Sequence, residues 1–427
     1  MEKLVKTAPD RGPQVRARPE PRCRLCAALL RHRVVDLGVT PLANSYIEAD
    51  QSSQPELFYR LHAFVCSECF LVQLEQFAPP EAIFHDYLYF SSVSESWLRR
   101  ANMYAAQMTE RLGLGARSLV IEVASNDGYL LQYFQRLGIP VLGVEPAENV
   151  ARVAAGKGIP SEVAFFGAST ARRLRGEGYA PDLIVANNVL AHVPDLHDFV
   201  EGFRVLLPPG GVLTCEFPHL LRLFGLNQFD TIYHEHLSYF SLAVVERLFG
   251  EHGLAIFDVE ELPTHGGSLR VYGRHDANGT LPPTPRVAAM KAAETAFGLR
   301  DLDTYRRFGD GVVESKLALL EFLIGARRRG EKVLAYGAPA KGNTLLNYCG
   351  VGPELIAFTV DRSPHKQQLL LPGTRIPIRA PSALLAERPD FVLILPWNLS
   401  EEVADQMGAI RNWGGRFVVP IPTIRVF

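Results

Sequence analysis

The stretch that most constrains the fold is residues 118 to 159, SLVIEVASNDGYLLQYFQRLGIPVLGVEPAENVARVAAGKGI. An apolar run, LVIEV, gives way to the small-residue turn ASNDG and then to helical spacing of Leu130, Leu131 and Phe134. A second strand, VLGVE, follows and ends in Glu145. This order of strand, turn, helix and strand predicts a parallel α/β sheet.

In such sheets a nucleoside ligand lies against the first turn, and a carboxylate at the end of the second strand binds the ribose hydroxyls. The turn lacks the G-x-G-x-x-G pattern that seats a pyrophosphate. The sequence therefore predicts a ligand with a ribose and no phosphate. An unliganded turn is the alternative, but PDLIVANNVLAHVPD (181 to 195) and LLPPGGVLTCEFP (206 to 218) supply the expected fourth and fifth strands in order.

The turn resembles motif I of the class I methyltransferases, which bind S-adenosylmethionine (SAM). It has one glycine where many relatives have two or three. The resemblance implies that the methionine part of SAM contacts the turn, that Glu145 binds the ribose and that Asn188 lies at the polar exit of the fourth strand. The implied cofactor residues are Glu122, Ala124, Ser125, Asn126, Asp127, Gly128, Glu145 and Asn188.

Four of the six cysteines form two C-x-x-C pairs, CRLC and CSEC. Two such pairs supply the four thiolates of a closed, structural Zn²⁺ site, which stabilises a module too small for its own core. The predicted ligands are Cys23, Cys26, Cys66 and Cys69. Two independent surface thiol pairs and a redox pair are the alternatives, but the βαβ setting typical of redox C-x-x-C motifs is missing. The segment between the pairs reads as short strands, and Cys215 and Cys349 lie in apolar runs that predict buried packing residues.

The charge balance restricts the partners. The 427 residues include 44 basic and 46 acidic side chains, a formal charge of −2, so no overall field attracts nucleic acid. Residues 1 to 22 are basic and proline-rich without an apolar stretch, which predicts a disordered tail and not a signal peptide. No apolar run approaches the roughly 18 residues of a membrane span. We therefore expect a cytoplasmic protein with neither a membrane nor a nucleic-acid partner.

The string DTIYHEHLSYFS, residues 230 to 241, concentrates polar chemistry just beyond the fifth strand. His234 and His236 are two positions apart, which aligns them poorly for a shared metal, unlike H-E-x-x-H. Ser241 predicts the start of an amphipathic helix that closes at Gly253. Residues 230 to 240 are therefore expected to form a loop that carries catalytic side chains, although a single histidine there could be structural.

A second α/β pattern follows in the last third of the chain. A helical stretch to about Arg329 precedes KVLAYGAPAKGNTLLNYCG and LIAFTVDRSP, which repeat the order of strand, turn, helix and acidic strand end. Lys341, Gly342 and Asn343 suit a pyrophosphate at a helix N-terminus, with a solvated lysine as the alternative. We expect a tail (1–22), a zinc module (23–80), a SAM-binding domain (81–280) and a sugar-nucleotide-binding Rossmann-like domain (281–427).

Several further motifs occur in one order from Cys23 onward. They are GVTPLANSY, VIEVASNDGYLL, ANNVLAHVPD, FDTIYHEHLSYFS, THGGSLRVY, YGAPAKGNTLLNY, DRSPHKQQLLLPGTRIPI and ILPWN. With the cysteine pairs, this arrangement resembles the sugar C-methyltransferases that methylate C3 of nucleotide-linked 4-keto-deoxysugars in antibiotic pathways. The resemblance implies an α/β fold in which a class I methyltransferase sheet is flanked by a zinc module and a second Rossmann-like domain. A dTDP-linked 4-keto-deoxysugar is the expected substrate.

The resemblance also implies a substrate pocket. The family's Y-x-E-H motif corresponds to Tyr233, Glu235 and His236, with the histidine as the base, and His192 and Tyr87 complete the pocket. His192 is the competing base because it follows the fourth strand. The expected substrate-binding residues are Asn44, His265, Ser268, Tyr336, Lys341, Gly342 and Asn343.

The expected chemistry fits these residue types. A neutral imidazole can remove a proton next to a ketone, and Tyr or His donors can stabilise the enolate oxygen. Glu235 would orient an imidazole or hold a sugar hydroxyl. An O- or N-methyltransferase of another small molecule remains an alternative, as does a non-catalytic scaffold that binds SAM and zinc, although the scaffold leaves YHEH and HGGSLR without a role.

Overall fold

The computed structural model describes residues 20–77 and 90–427. Residues 1–19 of the predicted tail and Tyr87 lie outside these ranges. The strands of the described chain form three sheets of four, seven and six strands. The predicted α/β fold, with an N-terminal cysteine module and a second C-terminal sheet, is confirmed. Within the same two ranges, no helix has the length and apolar character needed to cross a bilayer.

Strands and helices are numbered here in chain order. The strands are β1 (His32–Thr40), β2 (Tyr59–Val65), β3 (Val72–Leu74), β4 (Val120–Val123), β5 (Val141–Val144), β6 (Ser161–Glu162), β7 (Leu183–Asn187), β8 (Val212–Pro218), β9 (Ser238–Tyr239), β10 (Leu254–Leu262), β11 (Ser268–His275), β12 (Val333–Tyr336), β13 (Thr359–Val360), β14 (Ile378–Arg379), β15 (Phe391–Ile394), β16 (Arg416–Val419) and β17 (Arg425–Val426). The α-helices are α1 (Glu95–Leu112), α2 (Leu131–Arg136), α3 (Glu148–Gly156), α4 (Ala168–Gly176), α5 (Leu196–Leu206), α6 (Leu220–Gly225), α7 (Leu242–Gly250), α8 (Pro285–Phe297), α9 (Leu302–Arg328), α10 (Ala340–Cys349), α11 (Ser382–Glu387) and α12 (Ser400–Gln406).

The seven-stranded sheet has the order β10-β11-β8-β7-β4-β5-β6. Strands β4 to β8 run parallel, and the β10–β11 hairpin continues the sheet in antiparallel pairing. All four residues of β4, VIEV, are buried, as expected for a central parallel strand with helices on both faces. Glu122 is the one polar residue of that strand, so its carboxyl group is buried at the centre of the sheet.

The six-stranded sheet has the order β14-β13-β12-β15-β16-β17 and is parallel except for β17. The chain leaves β12 toward β13 and later returns to β15 on the other side of β12. The crevice beyond the carboxyl ends of β12 and β15 is therefore a topological switch point, where open α/β sheets bind ligands.

Two helices, α8 and α9, stand where the sequence predicts one helical stretch. Gly298, with φ 90°, ends α8 in the left-handed conformation, and the Asp301 side chain caps α9 by accepting a hydrogen bond from the N–H of Asp303. The 27-residue α9 approaches β1 closely, because a Cβ at Gly309 would lie 2.6 Å from the carbonyl oxygen of Val34. This helix thus connects the N-terminal module to the second sheet.

The four-stranded sheet joins the N-terminal module to the YHEH segment, residues 230–241. Its order is β1-β2-β3-β9, and each pair is antiparallel. The sequence predicts a loop for residues 230 to 240, but Ser238 and Tyr239 pair with Gln73 and Val72 and are buried. Their pairing depends on a strand about 165 positions earlier, which local pattern could not reveal. Helix α7 begins as predicted, since the Ser241 hydroxyl accepts a hydrogen bond from the N–H of Val244.

Candidate active site

Four cysteine sulfurs meet in the N-terminal module. Their Sγ atoms all lie within 4.8 Å of one another. They belong to Cys23, Cys26, Cys66 and Cys69. The residue after each pair, Ala27 or Phe70, has a positive φ (57° and 62°), so both pairs sit on tight turns of the same kind. Four thiolates with this spacing fit a tetrahedral Zn²⁺ with Zn–S bonds of about 2.3 Å and leave no position for water. The predicted zinc site is confirmed, and its closed ligand set makes it structural.

The turn after β4 contains three left-handed residues. Ala124, Asn126 and Gly128 have φ of 58°, 49° and 73°. The Asn126 side chain accepts a hydrogen bond of 2.9 Å from the N–H of Ser91, which precedes α1. At Gly143 on the neighbouring strand, a Cβ would lie 2.4 Å from the Ser125 hydroxyl oxygen. The turn is therefore fixed tightly against β5 and the start of α1.

Buried polar atoms without a hydrogen-bond partner in the described chain gather at this edge of the sheet. They include both carboxylate oxygens of Glu122 and one oxygen each of Ser125, Asp127, Asn187 and Asn188. Burial raises the pKa of Glu122 well above its usual value; the Tyr129 hydroxyl opposes that rise without reaching hydrogen-bond geometry. A buried polar group left unpaired costs about 1–3 kcal/mol, so such a concentration indicates a ligand that supplies donors. SAM, with its ammonium and hydroxyl groups, fits these acceptors.

Glu145 directly follows β5, as the sequence predicts. Its Oε2 accepts a hydrogen bond from the N–H of Asn126 and its Oε1 accepts one from the N–H of Ala147, both 2.9 Å long. Burial raises the pKa of Glu145. Each oxygen retains a second lone pair. Glu145 therefore closes the turn and keeps acceptor capacity for a ribose hydroxyl, a role that stays a prediction.

His236 is held in one tautomer within the YHEH segment. Its Nδ1–H donates to the carbonyl oxygen of Thr231 (2.9 Å), so Nε2 is the acceptor nitrogen and receives the hydroxyl of Tyr233 (2.8 Å). Burial, followed by the neighbouring His192, lowers the pKa of His236 well below its usual value. The imidazole is therefore neutral near pH 7, with its basic nitrogen directed at Tyr233.

Two further histidines flank His236. The His192 ring centre lies 4.8 Å from that of His236, and His265 packs edge-on against Trp97 at 5.2 Å. Burial lowers the pKa of both His192 and His265 to about 4. His192 ends the short turn after β7 and directly follows Ala191. The carbonyl oxygen of Ala191 accepts a hydrogen bond from the N–H of Leu237, which follows His236 (2.7 Å). Both candidate bases therefore belong to one site.

The other two YHEH residues face different partners. The His234 imidazole bonds through Nε2 to the carbonyl oxygen of Arg60 on β2 (3.1 Å), so it faces the N-terminal module. Glu235 accepts a hydrogen bond from the Asn44 side-chain amide (2.7 Å), and burial raises the pKa of Glu235 to about 7. Asn44, predicted to bind substrate, thus lies beside Glu235, whereas His234 is turned away from His236.

The C-terminal domain reaches this site through Lys341. The ammonium donates to the Asn398 side-chain oxygen (2.5 Å) and lies 4.3 Å from the ring centre of Trp397. The indole N–H of Trp397 donates to the Asp230 carboxylate (2.7 Å). Sequence reasoning assigned no role to Asp230, Trp397 or Asn398. Their only signal was membership of the motifs DTIYHEHLSYFS and ILPWN, which no spacing rule connects.

Two of the residues predicted to bind pyrophosphate have contacts within the protein. The Asn343 amide donates to the carbonyl oxygen of Ala43 (2.6 Å). At Gly342 a Cβ would lie 2.9 Å from the Cβ of Leu395, so the glycine lets α10 pack closely on the segment after β15. Asn343 thus joins the C-terminal domain to the N-terminal module, and the contact of both residues with a pyrophosphate stays a prediction.

Ser268 and Tyr336, also predicted to bind substrate, belong to different sheets. The Ser268 hydroxyl donates to the carbonyl oxygen of Thr264 (3.1 Å) and is buried beside His265. Tyr336 ends β12 and donates to the Gln406 side chain (3.1 Å). A cavity of about 460 Å³ opens in front of Tyr336, between α1 and the second sheet, and its lining includes Arg99 and Arg362. That cavity lies at the switch point of the second sheet.

Comparison with known proteins agrees with this architecture. Three family models match: a zinc binding domain at residues 23–84, a methyltransferase domain at 97–259 and a C-methyltransferase C-terminal domain at 263–422. The magnesium protoporphyrin IX methyltransferase of Synechocystis PCC 6803, solved with bound SAM, covers 43% of this chain and 81% of its own at 15% identity, with a TM-score of 0.33, too low to support an argument.

Two curated relatives differ greatly in how much of the chain they match. The ubiquinone biosynthesis O-methyltransferase of Chelativorans sp. (strain BNC1) is 30% identical over 109 residues, 25% of this chain and 43% of that protein. The C-methyltransferase NovU of Streptomyces niveus is 37% identical over 409 residues, 96% of this chain and 97% of that protein. The chain therefore belongs to the family of SAM-dependent C-methyltransferases that carry an N-terminal zinc-binding module.

Proposed function

We propose that this C-methyltransferase removes the C3 proton of a nucleotide-linked 4-keto-deoxysugar and methylates the resulting enolate carbon, in a branched-deoxysugar pathway. The observation that carries the proposal is the neutral His236 imidazole, fixed by Thr231 and Tyr233 in a buried cluster with His192 and His265. A base of this kind suits carbon acids. Methylation of a hydroxyl or amine does not require a ketone-activated C–H bond.

The chemistry follows from the hydrogen bonds of His236. A C–H bond next to a ketone is acidic because the charge moves onto the carbonyl oxygen. Nε2 of His236 accepts that proton, after the Tyr233 hydroxyl turns away or by relay through it, while Thr231 keeps Nδ1 protonated. SAM, when bound at the first turn by residues such as Glu122 and Glu145, supplies the electrophilic methyl group.

Glu235 is assigned to a sugar hydroxyl. The two ring nitrogens of His236 already have partners in Thr231 and Tyr233, so Glu235 has no imidazole to orient there. Its carboxyl group, held by Asn44 and with a pKa near 7, can accept or donate a hydrogen bond. We therefore assign Glu235 to recognition of a sugar hydroxyl and keep His236 as the base.

The cavity at the second sheet supports the nucleotide-linked substrate. It lies where an open α/β sheet binds ligands, and its arginines can pair with a diphosphate. Arg362 has a long ion pair of 3.8 Å with Glu402, and Arg99 one of 3.8 Å with Glu95. A diphosphate can compete with such extended, partly exposed pairs, because pairs of that kind contribute only about 0–1 kcal/mol.

Methyl-labelled SAM and a panel of sugar nucleotides test the proposed function. The panel contains dTDP- and UDP-linked 4-keto-6-deoxyhexoses, with the corresponding C4-hydroxyl sugars as matched controls. We expect label only in a keto sugar, with carbon NMR placing the new methyl on C3. Label on oxygen or nitrogen, equal labelling of the hydroxyl sugars, or no labelling of any sugar would each contradict the proposal.

A further inference from the structure

Lys341 lies on the catalytic side of α10 and not in the cavity beside Arg99 and Arg362. The residues that line the cavity do not include it. Its ammonium instead contacts Asn398 and the face of Trp397. Trp397 also donates to Asp230, at the start of the string DTIYHEHLSYFS. Burial is the main cause of the lowered pKa of His236 and His265, and the Lys341 charge adds to it. The lysine that the sequence assigns to a pyrophosphate is therefore a neighbour of the catalytic histidines.

Asp230 is the acidic group whose charge acts on this ammonium across Trp397. Asp230 is 0% exposed; its Oδ2 is taken by Trp397, and its Oδ1 has no partner in the described chain. Burial raises the pKa of Asp230 to about 6, and Lys341 opposes that rise. Trp397 thus stands between the carboxylate, which it binds through its N–H, and the ammonium, which lies over its ring.

The ammonium also retains donor capacity. A lysine has three N–H donors, and Asn398 accepts one hydrogen bond from Lys341 in the described chain. Two N–H groups remain on this half-buried side chain. A cation so held is prepared for a negative charge that develops beside the histidines.

We propose that Lys341 is the electrophile that stabilises the enolate, binding the sugar's ketone oxygen and not the pyrophosphate. This inference rests on the proposed function. The C3–H bond breaks, its proton goes to Nε2 of His236, and its electron pair forms the C3=C4 bond. The C4=O π electrons move onto oxygen, where the Lys341 ammonium balances the charge. The step needs no group beyond the substrate and these side chains.

The test measures hydrogen exchange of the dTDP-linked 4-keto sugar in heavy water. The protein is given S-adenosylhomocysteine in place of SAM. Mass spectrometry follows deuterium entry at C3, and calorimetry measures dTDP binding. Lys341→Met should slow exchange at saturating sugar by roughly 10²–10³-fold and leave dTDP affinity within about twofold. Lys332→Met is the matched control, since Lys332 pairs with Glu387 on the surface of the same domain, and it should exchange at the wild-type rate.

Lys341→Arg adds a readout that misfolding would not give. Burial lowers the pKa of Lys341 to about 8, with Asp230 opposing, while His236 and His265 face the same ammonium. Wild-type exchange should therefore fall as pH rises through about 8. The arginine variant should exchange more slowly than wild type at lower pH. Its rate should not fall as pH rises through about 8, because arginine stays charged to higher pH.

Three results would overturn some part of the account, and they are separable. Exchange within threefold of wild type in Lys341→Met removes the electrophile role. Weaker dTDP binding with normal exchange at saturation returns Lys341 to the pyrophosphate. Absence of both exchange and methylation in the wild-type protein contradicts the proposed function itself.

Discussion

The two Rossmann-like sheets bring an acidic residue to the same place and use it in the same way. Glu145 accepts hydrogen bonds from the N–H of Asn126, in the turn after β4, and from the N–H of Ala147, two residues after Glu145. In the second sheet, Asp361 accepts hydrogen bonds from the N–H of Ala338, in the turn after β12, and from the N–H of Ser363, two residues after Asp361. The acid at the end of the second strand is thus a clamp on the turn in both domains.

The sheets differ in what the turn leaves unpaired. Around the first turn, Glu122, Ser125 and Asp127 keep buried oxygens without partners in the described chain. In the second, the carbonyl oxygen of Ala338 accepts hydrogen bonds from the Tyr46 hydroxyl and the Lys366 ammonium, so the chain itself fills the position. The comparison teaches that the strand-end acid does not identify a nucleoside site. The unpaired polar groups at the first turn distinguish it from the second.

The largest effect on stability and activity should come from removal of the zinc. The zinc module carries β3, which pairs with β9 just after the YHEH residues. Structural zinc contributes about 10–16 kcal/mol in small domains. We expect one zinc per chain, and its removal by a chelator should unfold the module and abolish methylation. Metal analysis and circular dichroism measure both. Cys66→Ser should lose zinc while Cys215→Ala keeps it; zinc-free native protein from a chelator-free preparation would contradict the site.

Paired substitutions test the shared clamp directly. Glu145→Ala and Asp361→Ala each remove the acceptor of two backbone N–H groups, so each should lower the free energy of unfolding by about 2–5 kcal/mol. SAM binding should separate them: Glu145→Ala should weaken it by roughly 1.5–3 kcal/mol, and Asp361→Ala should leave it unchanged. Urea unfolding and calorimetry give the two quantities. Unchanged SAM affinity in Glu145→Ala would remove the ribose role and leave only the clamp.

The buried carboxyl group of Glu235 should make the stability of the protein depend on pH. Burial raises the pKa of Glu235 from about 4.5 to about 7, so the folded state favours the protonated acid. This contribution to stability is complete below about pH 4.5 and is lost as pH rises to about 7, by roughly 3 kcal/mol in total. Glu235→Gln should flatten urea-unfolding stability across that window. An unaltered slope would place the pH dependence elsewhere.

The smallest effect is expected from a substitution of Glu122, at the centre of the first sheet. Glu122→Gln keeps the shape of the side chain and removes its charge, so SAM should bind about tenfold more weakly or worse. Without SAM, the same variant should be as stable as wild type or melt a few degrees higher, because a poorly solvated acid has been removed. A loss of stability with unchanged SAM affinity would make Glu122 a structural residue.

Local features of the sequence predicted most of the fold. The turn ASNDG, the apolar strands around it, the serine that caps α7 and the two cysteine pairs each act within a few residues, so pattern and spacing reveal them. The break between α8 and α9 depends on Gly298 and Asp301, which also carry local signals. The prediction of a helical stretch up to about Arg329 does not use those two residues, so it does not locate the break.

Long-range contacts set the limits of that prediction. The Asn343 amide meets Ala43 some 300 residues away, and Trp397 meets Asp230 across 167 residues. No periodicity encodes such pairs, because the fold alone brings them together. The sequence predicts that Lys341 binds a phosphate, since a lysine at the start of a Rossmann helix commonly has that role, and the dTDP-binding and exchange measurements separate that role from the proposed one.

The central claim is that His236 is the base of a carbon acid reaction, and C3 deuterium exchange tests it most directly. His236→Ala and His192→Ala are compared with wild type on the dTDP-linked 4-keto sugar in heavy water, with SAM and sugar-nucleotide affinity measured in parallel. The account predicts that His236→Ala loses exchange and methylation while both affinities stay nearly intact. A His236→Ala protein that exchanges and methylates near the wild-type rate, with His192→Ala inactive, would contradict it and assign the base to His192.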